Sequence, residues 1–105
     1  MNEIEREALG TQAALLAALA RFAQTHPDLP GGYITTSSIT PTKAHVLLDT
    51  AGDLEAWREA LHIDTDEVTL SALNPRTKLE FTTRLGRSTV VVYAVFSLDT
   101  EAVSA

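Results

Sequence analysis

Two long runs, Thr77 to Leu85 and Ser88 to Leu98, are joined by only two residues, Gly86-Arg87. So short a link predicts an antiparallel hairpin. Glycine in its first central position is what a type II′ turn requires, because that position takes a positive φ. The turn sets the register: Leu85 opposes Ser88, Thr83 opposes Val90, Phe81 opposes Val92 and Leu79 opposes Ala94. In that register the apolar faces of the two strands coincide, so turn chemistry and hydrophobic alternation agree independently.

The same register places Val91, Tyr93 and Val95 on the far face, beside Thr82, Glu80 and Lys78. A strand that is apolar on both sides has to be covered twice, by a helix, by the curl of the sheet or by another subunit. In one arrangement the first helix covers one side and the second helix part of the other. In the alternative, Val91, Tyr93 and Val95 form a homo-oligomer interface, an isologous patch anchored on Tyr93. The pattern does not choose between the two.

Upstream, Glu3 to Gln24 contains no proline and one glycine, Gly10, which predicts a long helix. Ile4, Ala8, Leu15, Leu19 and Phe22 fall on one stripe, widened by Leu9, Leu16 and Ala23. Pro27 disfavours helical geometry at His26 and ends the helix. Tyr33 to Ile39 and Ala44 to Leu48 then read as a hairpin around Thr40-Pro41-Thr42, with Ala44, Val46 and Leu48 facing the core. A second helix is expected from Asp53 to His62, capped by Thr50, with Leu54, Trp57 and Leu61 docked on the sheet and the indole N–H seeking an acceptor. Glu67 to Leu73 reads as a strand with Val68, Leu70 and Ala72 inward, followed by a turn at Asn74-Pro75-Arg76.

The predicted fold is therefore a single α+β domain over residues 1–105, with loose termini at about 1–3 and 99–105. It is a two-layer α/β sandwich in the order α-β-β-α-β-β-β, with a mainly antiparallel sheet and two helices. The chain is acidic, with a net charge of −6, which disfavours phosphate backbones and anionic membranes as partners. It has no cysteine, excluding disulfides, thiolate metal sites and a cysteine nucleophile, and it shows no signal peptide or spanning run. A cytoplasmic setting is the expectation.

No nucleophile elbow, Walker A loop, H-E-x-x-H or dinucleotide fingerprint is present, so no enzyme activity, cofactor or metal is expected. His26, His45 and His62 lie in different elements without ligand spacing, and Asp64, Asp66 and Glu67 read as a solvated acidic turn. One local basic segment, Arg76, Lys78, Arg84 and Arg87 against Glu80, offers a strand surface with one aromatic, Tyr93, to a nucleic acid. A solvated sheet face explains the same residues. The leading expectation is a protein-interaction or accessory module that self-associates through Val91, Tyr93 and Val95. A nucleic-acid-binding regulator using the basic segment is the alternative, and a small-ligand binder the third.

An alanine- and leucine-rich helix, then "LPGGYITTSSI", a strand ending "VLLDT", the helix "DLEAWREALH" and a valine-rich last strand resemble small uncharacterised proteins of actinobacteria and of their phages and mobile elements. The resemblance spans most of the chain and is strongest in "LEAWREAL". It implies a bacterial cytoplasmic setting, and no activity or functional residue is carried over from it.

Overall fold

The computed structural model describes residues 8–97. A 3-10 turn, Leu9–Gln12, leads into α1 (Ala13–Thr25), followed by β1 (Tyr33–Thr36), β2 (Lys43–Leu48), α2 (Ala51–Ala60), a 3-10 turn (Thr65–Glu67), β3 (Thr69–Ala72), β4 (Thr77–Leu85) and β5 (Ser88–Phe96). The fold is α+β with the expected order of elements. The strands form one sheet in the order β1-β2-β5-β4-β3, antiparallel throughout except for the parallel pair β2–β5.

The final hairpin has the register its turn demands. Leu85 pairs with Ser88, Thr83 with Val90, Phe81 with Val92 and Leu79 with Ala94, and Gly86 takes a φ of +64°. Thr50 caps α2 by accepting a hydrogen bond from the Asp53 N–H at 3.0 Å. The Trp57 indole N–H finds its acceptor in the Pro30 carbonyl, 2.8 Å away, tying α2 to the loop after α1.

Both helices lie on the same face of the sheet. Leu54 and Trp57 of α2 form one core with Val46, Leu48, Phe81, Val90, Val92 and Ala94, and Leu19 and Phe22 of α1 pack against it. The Phe22 and Trp57 rings lie 5.3 Å apart, so the two helices also touch each other. This overturns the arrangement in which the helices take opposite sides. The shared row is the physical reason: Ile34, Val46, Val92 and Phe81 are successive register partners and make one continuous apolar strip.

Several element bounds differ from those expected. The described part of the first helix begins with the 3-10 turn at Leu9, next to Gly10; Ile4 and the other residues of the expected first turns lie outside the described residues. Strand β1 stops at Thr36 rather than Ile39, because the Ser37 hydroxyl accepts the Ile39 N–H and turns the chain away. Helix α2 ends at Ala60 rather than His62. There His62 takes a φ of +58°, its N–H bonds to the Glu59 carbonyl and the Ile63 N–H to that of Arg58, a Schellman closure that folds Ile63 onto the core. Arg58 reinforces it by donating to the Ile63 carbonyl while pairing with Glu55.

Strand β3 is reduced to Thr69–Ala72 by the preceding 3-10 turn, and Leu70, expected inward, is 66% exposed. It points to the helix side of an edge strand that the described helices do not reach. The expected loose termini and Leu98 lie outside the described residues.

Candidate functional site: the uncovered face of the sheet

With both helices on one side, the described residues leave the other side of the sheet open. Register assigns to it Tyr33 and Thr35 of β1, Lys43, His45 and Leu47 of β2, the odd-numbered residues of β5, the even-numbered residues of β4, and Thr69 and Ser71 of β3. One row runs Tyr33–Leu47–Tyr93–Glu80–Thr69, and the next runs Thr35–His45–Val91–Thr82. The apolar centre is built by β5 and β2.

The three residues singled out for an interface are not equivalent. Val91 is 5% exposed, shut in by its strand neighbours His45 and Thr82. Tyr93 and Val95 are half-buried and remain available. They line an open depression of about 370 Å³ together with Leu47, Asp49 and Arg76. The alternation of β5 identifies Tyr93 and Val95, but Leu47, Tyr33 and Asp49 enter the site only through the sheet order, which no local pattern encodes.

Charge on this face is concentrated at its ends. Lys43 and Arg84 flank Thr89 at the end beside the Gly86-Arg87 turn. At the opposite end Lys78 pairs with Glu80, Nζ to Oε1 3.2 Å, and its ammonium sits 5.6 Å from the centre of the Tyr93 ring. These contacts hold the lysine stem against the aromatic surface. The four basic residues expected to act together are thus divided. Arg84 and Arg87 lie near one end of β4 and Arg76 and Lys78 near the other, separated along the strand by about 20 Å. Lys43, absent from that set, is placed across β5 from Arg84 by the parallel β2–β5 pairing.

The histidines are likewise dispersed. His26 follows α1 and stacks on Phe22 at 4.6 Å, His45 sits on the open face and His62 closes α2. Among the described residues no three histidine, aspartate or glutamate side chains converge in a way that could hold a metal ion, and no helix is long and apolar enough to cross a membrane. A second hollow, about 160 Å³, lies on the helix side between Phe22, His26, Pro30, Ile34 and Trp57. Of its polar groups, the Pro30 carbonyl accepts from the Trp57 indole and His26 Nδ1 lies 3.3 Å from the Phe22 carbonyl. The described residues of the open face offer contact area with a few fixed charges at its ends.

Comparison with protein-family models, with curated proteins and with solved structures finds no match to this chain.

Proposed function

We propose that this chain is a non-enzymatic protein-interaction module, accessory or regulatory in role, that self-associates through the uncovered face of its sheet. The observation that carries this reading is the patch formed by Leu47, Tyr93 and Val95 on the side of the sheet away from both helices. The strands are four, six, four, nine and nine residues long in chain order and lie about 4.8 Å apart, so they present a face of roughly 500 Å². A standard pairwise interface buries about 800 Å² of accessible surface per partner, so the flat face supplies somewhat over half of that area. Its short, exposed edge strands limit edge-to-edge growth and favour face-to-face contact. A cytoplasmic setting is part of the proposal and is supported by the absence of cysteine.

Sedimentation velocity over a concentration series tests the reading. The wild type is expected to shift from the mass of one chain to that of two, and Tyr93→Glu to hold it at one while leaving the thermal midpoint nearly unchanged. A wild type that stays a single chain at the highest concentration overturns it.

A single-stranded nucleic acid is the other occupant to consider, favoured by Lys43 and Arg84 standing on the same face as Tyr93. The net charge of −6 and the division of the basic residues between two ends of β4 weigh against it. Salt-sensitive retention on single-stranded DNA that is lost in Arg84→Ala, in a chain that does not dimerise, would put this reading in place of self-association.

A further inference from the structure

We propose that the hollow on the helix side of the sheet is a binding site for a small flat aromatic molecule carrying one N–H or O–H donor, of the phenol or indole class. The site lies across the sheet from the open face, and it does not depend on self-association.

The hollow exists because the helix layer stops short of β1. Ile34, Val46, Val92 and Phe81 form one apolar row, and the last three are each 2% exposed or less. Ile34 is left 49% exposed and becomes part of the wall of the hollow. Core-like surface thus lies uncovered in a concave space of about 160 Å³. Apolar cavities of roughly 150 Å³ in protein interiors hold benzene, so the space suits one ring, with room for a second toward its open side.

Rings make up much of the rest of the wall. Phe22 stands between His26 and Trp57, with ring centres 4.6 Å and 5.3 Å away and tilts of 34° and 45°. A further ring entering the hollow extends this series at the spacings that aromatic pairs prefer. Among the described residues no lysine, arginine, aspartate or glutamate lines the hollow, so a charged ligand would lose hydration there without gaining a partner. An uncharged occupant is selected.

The polar groups narrow the choice. The Trp57 indole N–H is spent on the Pro30 carbonyl and offers no donor. His26 Nδ1 lies 3.3 Å from the Phe22 carbonyl, which only accepts, and this assigns the ring proton to Nδ1. In the neutral imidazole Nε2 is then an acceptor, on a side chain that lines the hollow. A ligand O–H or N–H is its complement.

Nuclear magnetic resonance titration with phenol, indole and toluene tests the site, because the single tryptophan supplies one isolated indole N–H signal at its wall. Phenol and indole are expected to shift that signal and those of Phe22, His26 and Ile34 saturably, with a Kd on the order of 1 mM. Ala23 is exposed on α1 and lines the hollow, so Ala23→Leu fills the space without removing a core contact and should weaken both at least about tenfold. Ile34→Ala, which takes away part of the wall, should weaken all three probes about threefold. His26→Phe keeps a ring and removes the acceptor, so phenol should bind about three- to tenfold more weakly while toluene is unchanged. Tyr93→Glu, on the far side of the sheet, should leave every titration as in the wild type. No saturable shift at about 10 mM phenol or indole overturns the site. So does binding that survives both Ala23→Leu and Ile34→Ala, or that is lost in Tyr93→Glu. Equal losses of phenol and toluene in His26→Phe overturn the proposed ligand class.

Discussion

The two faces of this sheet are made by the same strands and hold their side chains in opposite ways. Toward the helices, Val46, Leu48, Phe81, Val90, Val92 and Ala94 are all 2% exposed or less. Away from them, β5 is just as apolar in composition, yet Tyr93 and Val95 stay half-buried beside Leu47, Glu80 and Lys78. The difference teaches that the character of a face belongs to the row across the sheet rather than to any one strand. The row Ile34–Val46–Val92–Phe81 is apolar from end to end, whereas Tyr33–Leu47–Tyr93–Glu80–Thr69 changes character at β4.

The largest test of this contrast is Phe81→Ala. Phe81 is 2% exposed at the centre of the helix-side row, so removing its ring should lower stability by about 3–5 kcal/mol in denaturant titration. If it cost no more than Tyr93→Ala, the two faces would not differ energetically and the contrast would fail. Gly32→Ala should cost about 1–3 kcal/mol, because a Cβ there would stand 2.5 Å from the Leu47 carbonyl oxygen and 2.8 Å from Leu48 Cδ2. Gly31→Ala is the matched control, since nothing lies within 4 Å of its Cβ, and its effect should stay within about 0.5 kcal/mol. Equal costs at the two glycines would mean that the loop does not press on β2. The smallest effect is expected for Val95→Ala, under about 0.5 kcal/mol when measured at a concentration where the protein is a single chain. A clear loss of stability there would show that the face is already covered within one chain.

What was legible in the sequence and what was not divide along the range of the interactions. The β4–β5 register could be read from Gly86 and the alternation around it, because a two-residue turn leaves no freedom between the strands. The cap at Thr50 and the demand of Trp57 for an acceptor were similarly local, although Pro30 as the acceptor was not. The parallel β2–β5 pair, and with it the placing of Lys43 and Arg84 on either side of Thr89, depends on where distant strands settle. The exposure of Leu70 has the same origin: alternation marked its direction correctly, but whether a helix arrives above it is decided elsewhere in the chain. For the candidate site, Tyr93 and Val95 were visible as an excess of apolar residues, the enclosure of Val91 depends on His45 from the distant β2 as well as on Thr82, and Leu47 and Asp49 were out of reach.

The position of β5 has a kinetic consequence. The β1–β2 hairpin and the β3–β4–β5 meander can each form from neighbouring chain, but they are joined only through β2 and β5, strands far apart in sequence. Until that seam closes, neither piece offers α1 and α2 a complete bed, since the core draws on both. The rate-limiting event in folding should be the docking of these two parts, because pairing Val46 with Val92 closes a loop of 46 residues.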